Sequence, residues 1–167
     1  MSDQINPSSG VINSLWRYPI KSLLGEPSTS LLLDQRGVVG DRAFAIICEG
    51  GKIGSGKDTR RFGKIANLLS LQAKQSEDEV IVSFSNGSQM SVEDPQINMK
   101  LSAALGQTVK LQGESDVSHL DAAPLHIITT SSLAKLHLQP RQTHRLTHTL
   151  KYHLLALTLQ ELKHLGK

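Results

Sequence analysis

The chain has 167 residues, which is enough for one ordinary domain with a hydrophobic core. Hydrophobic residues make up 38% of it and charged residues 20%, a composition that is typical of folded proteins and excludes a largely disordered one. No segment approaches the roughly 20 apolar residues of a membrane span, and no secretory signal begins the sequence. The single cysteine, Cys48, excludes an internal disulfide. We therefore expect a cytoplasmic protein without a membrane partner.

The net charge of +3 is unevenly distributed. Residues 1–125 hold 12 Lys and Arg against 14 Asp and Glu, whereas residues 126–167 hold 6 against 1. All seven histidines lie between His119 and His164. The composition therefore changes towards the end of the chain.

The first two thirds of the chain predict short strands. Alternation over residues 11–18 (VINSLWRY) predicts a strand that ends before Pro19, and residues 28–34 (STSLLLD) and 42–48 (RAFAIIC) predict two more. Residues 79–92 (EVIVSFSNGSQMSV) predict a β-hairpin. Its Asn86-Gly87 pair predicts a two-residue type I′ turn, because both residues tolerate positive φ angles.

Helices are predicted in two later places. Residues 96–106 (QINMKLSAALG) predict a helix that ends at Gly106 and presents one apolar face, formed by Ile97, Leu101, Ala104 and Leu105. A strand is predicted at residues 108–112 (TVKLQ), and residues 123–138 (APLHIITTSSLAKLHL) predict a strand that passes into a helix capped by hydroxyls near residues 130–132. Many short strands with few helices predict a mainly β fold with a few helices, organised as a barrel.

Residues 51–58 (GKIGSGKD) nearly match the nucleotide-binding phosphate loop. That motif needs a Ser or Thr at its last position and a helix after it, but Asp58 stands at that position and the following TRRFGK has no helical periodicity. A nucleotide site is therefore not favoured. What remains is a basic loop, with Lys57, Arg60 and Arg61 as candidate ligands of an anion or as a solvated surface turn.

A second candidate anion site lies at two strand ends. Lys21 and Ser22 come directly after a strand ended by Pro19, and Arg42 begins a later strand. If these strands are neighbours, Lys21, Ser22 and Arg42 converge on one anion. Taken alone, such cations are also common as solubilising charges at strand edges.

Five segments in order resemble the N-terminal part of MOSC domain proteins: LWRYPIKSLLGE, RGVVGDRAFAII, GKIGSGKDTRRFGKIANLLSL, DPQINMKLSAALGQTVKL and HLDAAPLHIITTSSLAKL. This family is named for the C-terminal domain of molybdenum cofactor sulfurase and includes amidoxime-reducing molybdoenzymes. The resemblance implies a MOSC N-terminal β-barrel with the start of the MOSC domain at residues 11–136. Outside these residues we expect a disordered N-terminus at 1–10 and an atypical basic, His-rich helical tail at 137–167.

The resemblance also implies a cofactor, molybdopterin, which is a pterin that carries a phosphate. The family's YP-[IV]-K-S motif and the arginine of its G-D-R motif carry the cofactor contacts over to Lys21, Ser22 and Arg42. We expect Asp41 to orient Arg42 or to cap the turn and not to contact an anion. The T-T-x-S-L segment adds three hydroxyls, those of Thr129, Thr130 and Ser132. The basic loop 52–64 becomes a candidate lid over the pterin.

The implied function is binding of the molybdenum cofactor, in sulfur transfer or in reduction of N-hydroxylated substrates. Its partners would be a sulfur donor or a redox protein, and the family is also associated with pyridoxal phosphate. Two alternatives stay open: a non-catalytic barrel or enzyme remnant, and a module that binds phosphate or nucleic acid through loop 52–64. Nucleic acid is not favoured, because aromatic residues are few and residues 1–125 are net acidic.

The chain departs from the family after about residue 137. The R-R-F-R-P-N segment, further strands and a late cysteine do not appear in the sequence, so we expect an incomplete barrel with unpaired strand edges that self-associates. Cys48 is predicted to be a core thiol, and no catalytic residue is assigned. The sequence of the tail predicts a helix over 149–165. His144 and His148 have the spacing of two metal ligands on one helical face, but a third ligand is lacking. One hypothesis for the origin of the tail is a reading-frame change near codon 138.

Overall fold

The computed structural model describes residues 11–121 and 123–138. They form a mainly β structure with 12 strands and two helices, which confirms the predicted fold class. The strands are β1 (Leu15–Arg17), β2 (Ile20–Lys21), β3 (Glu26–Ser28), β4 (Leu33–Asp34), β5 (Gly37–Val38), β6 (Phe44–Cys48), β7 (Ile53–Ser55), β8 (Phe62–Lys64), β9 (Gln72–Ser76), β10 (Glu79–Ser83), β11 (Gln89–Ser91) and β12 (Val109–Gly113). The helices are α1 (Ile97–Leu105) and α2 (Thr130–Leu138), and a 3-10 turn covers Leu68–Ser70.

Strand β6 is the centre of the main sheet. One of its edges pairs antiparallel with β12 along the whole strand. Its other edge pairs in parallel with β2, where Lys21 lies opposite Ala45, and then antiparallel with β7, which is followed in the sheet by β8. This arrangement places Lys21 at the end of β2, beside the first residues of β6.

The other strands curl around this sheet. Strands β9, β10 and β11 form an antiparallel meander, and a single parallel bridge between Leu24 and Gln72 joins that meander to the chain just after β2. Two small ribbons, β1 with β3 and β4 with β5, complete the described strands. Together they form a curled half-barrel sheet, in agreement with the expected incomplete MOSC-like barrel. Self-association stays a prediction.

The main hydrophobic core lies between the meander, the central sheet and α1. Ile20, Ile46, Leu71 and Leu101 are among its fully buried side chains. Helix α1 ends at Gly106, as predicted, and buries Ile97, Leu101 and Leu105. The prediction that Ala104 shares this buried face is wrong: Ala104 is exposed, because it lies at the edge of the apolar stripe and its side chain ends at Cβ.

The hairpin predicted for residues 79–92 is confirmed, since β10 pairs antiparallel with β11. The predicted type I′ turn is wrong. The N–H of Gly87 donates to the carbonyl of Phe84 at 2.9 Å, and Gly87 has a φ of 82° whereas Asn86 does not have a positive φ. The three-residue loop 85–87 is therefore a type I turn closed by a left-handed glycine, and the Asn86 side chain accepts the N–H of Ser88 at 3.0 Å.

Three predicted strands are shorter than expected or absent. Of residues 11–18 only Leu15–Arg17 form a strand, and residues 28–34 contribute only the end of β3 and the two residues of β4. Residues 123–128 form no strand, although residues 130–138 form the predicted helix. The apolar pattern was present in each case, but a strand also needs a partner edge, and β1 finds one in β3 over only three residues.

In the part of the chain that the structure describes, no helix is both long and apolar enough to cross a membrane. The predicted N-terminal segment 1–10, the helix over 149–165 and the pair His144 and His148 lie outside the described residues. Among the described residues, no group of three or more His, Cys, Asp or Glu side chains is placed to hold a metal ion.

Candidate functional site

The two strand ends that the sequence singles out are neighbours. The N–H of Arg42 donates to the carbonyl of Tyr18 at 2.7 Å, and the N–H of Phe44 donates to the carbonyl of Pro19 at 3.1 Å. These bonds continue the parallel pairing of β2 with β6. The segments that carry Lys21 and Arg42 are therefore neighbours, but through β2, a strand that was not predicted, because the predicted strand β1 pairs with β3. Their convergence on one anion stays a prediction.

Lys21 is a buried cation at the base of the site. Its side chain is 4% exposed, and its Nζ lies 2.9 Å from Oδ1 of Asp121, which is 52% exposed. Burial lowers the pKa of Lys21; the hydrogen bond and charge of Asp121 oppose this shift, and the charges of Arg42 and Arg61 add to it. The ammonium is thus held close to other cations, with a half-exposed carboxylate as its partner.

Arg42 is held by its neighbour and by an aromatic ring. Its guanidinium pairs with the carboxylate of Asp41, whose other oxygen accepts the N–H of Tyr18 at 2.7 Å. The guanidinium carbon also lies 5.5 Å from the centre of the Tyr18 ring, within cation–π range. Asp41 is 2% exposed, which fits the expectation that it orients Arg42 and does not itself meet an anion.

Ser22 and Arg42 share an unusual backbone conformation. Their φ angles are 70° and 51°, and among the described residues only two other non-glycine residues, Asn67 and Glu77, have positive φ. A side chain in this region costs on the order of 1–3 kcal/mol, and such residues concentrate at binding sites. Ser22 and Arg42, two of the residues predicted to contact the pterin, therefore carry backbone strain.

Three cationic side chains lie around the ring of Phe62. The Nζ atoms of Lys21 and Lys57 lie 5.2 Å and 4.7 Å from the centre of the ring, and the guanidinium carbon of Arg61 lies 5.2 Å from it. Phe62 is buried at the start of β8, and its N–H donates to Thr59 Oγ1 at 3.1 Å. The ring thereby brings two cations of the basic loop to Lys21.

The basic loop is built on two paired strands. It contains β7 and β8, which pair in parallel, so β8 and not a helix follows the segment that resembles a phosphate loop. Arg61 donates to the carbonyls of Ser118 and, at 3.0 Å, Leu120, which ties the loop to the segment ahead of Asp121. Arg60 is exposed. The roles of the loop as a lid and of Lys57, Arg60 and Arg61 as anion ligands stay predictions.

The segment from Glu114 to Asp121 forms one wall of the site. Glu114 pairs with Arg36 and accepts the N–H of His119 at 2.6 Å. His119 is 2% exposed, and its Nδ1 lies 3.2 Å from the carbonyl oxygen of Arg42. Burial lowers the pKa of His119. Beside this wall lies an open cavity of about 230 Å³, lined by Arg61, Ser118, Leu120, Asp121, Ala123 and Pro124.

We expect Glu114 to make the fold sensitive to acid. The hydrogen bond from Arg36 lowers the pKa of Glu114 from 4.5 to about 2. A carboxyl whose pKa is lower in the folded state adds stability above its unfolded pKa and loses it as the pH falls towards its folded pKa. The contribution, on the order of 2–3 kcal/mol at neutral pH, should therefore fade between about pH 4.5 and pH 2.

Urea unfolding of the wild type, Glu114→Gln and the exposed control Glu93→Gln at pH 7 and pH 3 measures this effect. Glu114→Gln should lower the free energy of unfolding at pH 7 and reduce the loss between the two pH values, whereas Glu93→Gln should behave as the wild type does. An unchanged acid loss in Glu114→Gln would show that other groups cause it.

The three hydroxyls carried over by resemblance lie at the start of α2. The N–H of Ser132 donates to Thr129 Oγ1 at 3.1 Å, and the two hydroxyls are 3.0 Å apart, so Thr129 caps the helix. Thr129, Thr130 and Ser132 are exposed. Among the described residues the hydroxyls of Thr129 and Ser132 contact each other. The contact of all three hydroxyls with a cofactor stays a prediction.

Sequence reasoning missed Phe62 and Asp121. Phe62 stood out only as one of few aromatic residues, and Asp121 lies 100 positions after its partner Lys21, so no spacing rule connects the two. His126 was also missed. It is half buried, and burial lowers its pKa, as does the charge of Arg42, whereas the charge of Asp121 raises it.

Cys48 is partly buried, and burial raises the pKa of its thiol. A raised pKa disfavours the reactive thiolate and fits the predicted structural role.

Comparisons with known proteins agree with the fold. A search of curated proteins found no match. The model of the MOSC N-terminal beta barrel domain matches residues 9–123, more than half of the chain. The match includes Lys21, Ser22, Arg42 and the basic loop, and it ends just before the hydroxyl segment of α2. The chain belongs to the family of MOSC N-terminal beta barrel domains.

Proposed function

We propose that this chain binds the molybdenum cofactor and grips the phosphate of its pterin with Lys21, Arg42 and Ser22. The observation that carries the proposal is the burial of Lys21 beside Arg42, because a protein that needed Lys21 only for solubility would leave it in water. The identity of the ligand is taken from the resemblance to MOSC domain proteins.

The residues at the site fit an anion. Lys21 and Arg42 supply charge-assisted donors, and the ring of Phe62 keeps Lys57 and Arg61 close to Lys21. Asp41 cancels part of the charge of Arg42 but also fixes its direction. Cations already outnumber carboxylates at the site, and turning Asp121 towards water would increase the excess of positive charge that a phosphate dianion requires.

When bound, the cofactor would supply redox chemistry or a transferable sulfur through its molybdenum. The contribution of this chain would be to neutralise the phosphate with Lys21 and Arg42 and to shield it with the basic loop. The reaction would be sulfur transfer or reduction of an N-hydroxylated substrate, together with a cytoplasmic sulfur donor or redox protein. None of the described residues is assigned a catalytic role, so the chain is proposed here as a cofactor-binding module.

Binding of the molybdenum cofactor, released anaerobically from a donor molybdoenzyme, tests the proposal. Quenching of pterin fluorescence should show saturable binding to the wild type. The double variant Lys21→Ala/Arg42→Ala should bind about 100-fold more weakly or worse, since each charge-assisted contact contributes about 1.5–3 kcal/mol. The control Lys110→Ala, an exposed lysine on β12, should bind as the wild type does.

A loop variant, Lys57→Ala/Arg60→Ala, separates this proposal from the alternative in which the basic loop binds phosphate or nucleic acid. The alternative has one observation in its favour, the contact of Lys57 and Arg61 with the ring of Phe62. If the wild type binds a single-stranded oligonucleotide but no pterin, and the loop variant loses the oligonucleotide, the alternative replaces the proposal.

A further inference from the structure

We propose that Asp121 is an internal competitor of the ligand: its carboxylate occupies the place of the ligand's phosphate, and it must leave Lys21 when an anion binds. This inference rests on the proposed function and deepens it, because it names a residue that sets the affinity of the same site. It follows from three features of the ion pair, which are its asymmetry, its surroundings and its attachment.

The ion pair is asymmetric in exposure. Lys21 is 4% exposed and is held in the sheet by β2, whereas the side chain of Asp121 is 52% exposed and lies outside any strand or helix. Breaking the pair by moving Lys21 would require a change in the main sheet. Breaking it by rotating Asp121 requires only that a carboxylate turn into water, where it is well solvated.

The carboxylate of Asp121 lies where cations converge. Burial raises its pKa, but the hydrogen bond and charge of Lys21, together with the charges of Lys57 and Arg42, outweigh burial and lower the pKa overall. Lys21 and Arg42 are also the cations that are proposed to bind the phosphate. The carboxylate of Asp121 therefore already occupies the positive electrostatic potential that would attract an anionic ligand.

The attachment of Asp121 limits how far it can move. Arg61 bonds the carbonyls of Ser118 and Leu120, and Glu114 accepts the N–H of His119, so the backbone on the N-terminal side of Asp121 is fixed. A tethered carboxylate has a high effective concentration at Lys21. A free monoanion gains little by replacing it, whereas a phosphate dianion brings more charge to the same cations.

Calorimetric titration with inorganic phosphate measures the effect without any cofactor. We expect Asp121→Asn, which keeps the shape of the side chain, to bind phosphate about tenfold more tightly than the wild type, because no charged partner has to be displaced. Formate, a small carboxylate, should bind Asp121→Asn measurably and the wild type far more weakly. The control Asp78→Asn removes the same charge at an exposed position in the turn between β9 and β10, and should leave phosphate affinity unchanged.

Carbon NMR of the wild type gives a second readout that does not depend on a variant. The side-chain carboxyl signal of Asp121 should shift along the same saturation curve as phosphate binding, since the carboxylate leaves Lys21 at that step. Unchanged or weaker phosphate binding in Asp121→Asn, or a carboxyl signal that stays constant through saturation, would overturn the inference.

Failure of this inference can be told apart from failure of the proposed function. If the wild type binds an oxidised pterin phosphate monoester but Asp121→Asn gains no affinity for any anion, the inference fails and the function stands. If Asp121→Asn gains affinity for inorganic phosphate and neither protein prefers the pterin phosphate, the inference stands and the ligand is a phosphate of another kind.

Discussion

Replacing Lys21 by methionine is expected to weaken binding of phosphate by about tenfold to 100-fold, because one charge-assisted contact is lost. The same change should leave the free energy of unfolding unaltered or raise it by up to about 1 kcal/mol. Burial disfavours the ammonium, as the lowered pKa of Lys21 indicates, and methionine fills a similar volume without a charge. The abandoned Asp121 is half exposed, so water can solvate it.

Titration calorimetry and urea unfolding of the same samples check both halves of this prediction. Lys110→Met, at an exposed position on β12, is the matched control and should change neither quantity appreciably. A Lys21→Met protein that is less stable by more than about 2 kcal/mol yet binds phosphate normally would show that Lys21 serves the fold and not a ligand.

Gly25→Ala is expected to destabilise the protein by about 3 kcal/mol or more, through a steric clash with the backbone. A Cβ atom at this position would lie 2.3 Å from the carbonyl oxygen of Arg17 and 2.6 Å from the ring of Tyr18. The carbonyl cannot move aside easily, because Arg17 pairs with Glu26 across β1 and β3. A displaced Tyr18 would also release the guanidinium of Arg42.

Gly56→Ala is the control for this change. Nothing lies within 4 Å of the added Cβ there, so we expect a change of less than about 0.5 kcal/mol in urea unfolding. Gly25→Ala should also bind phosphate less tightly at a temperature where it is still folded. If Gly25→Ala is within about 1 kcal/mol of the wild type, the close packing of Tyr18 beside Arg42 is not as described.

The elements that the sequence predicts well are those with local signals. The strand at RAFAIIC, the hairpin around Asn86 and the helix ended by Gly106 each carry an apolar period and a turn or cap residue within a few positions. The predictions are wrong where contacts with another part of the chain, and not the local sequence, decide the secondary structure. Residues 123–128 have a strand-like composition but no strand pairing, and the hairpin chose a three-residue loop although Asn-Gly would suit a two-residue one.

The residues of the site also fall into two groups, those that local sequence indicates and those that only the fold brings together. That Lys21 and Arg42 lie on neighbouring segments could be predicted, because each was placed next to a strand and the resemblance names both. The partners that complete their surroundings could not be predicted. Phe62 and Asp121 reach Lys21 through the fold alone, from 41 and 100 positions away, and neither belongs to a motif that requires a cation.

If the chain holds the molybdenum cofactor at Lys21 and Arg42, the purified protein should contain molybdenum and pterin. The wild type and Lys21→Ala/Arg42→Ala should be purified from a host that makes the cofactor, and molybdenum and oxidised pterin measured per polypeptide. We expect near-stoichiometric pterin in the wild type and a loss of most of it in a variant that remains folded. A folded wild type without pterin, or equal pterin in both proteins, would contradict the claim.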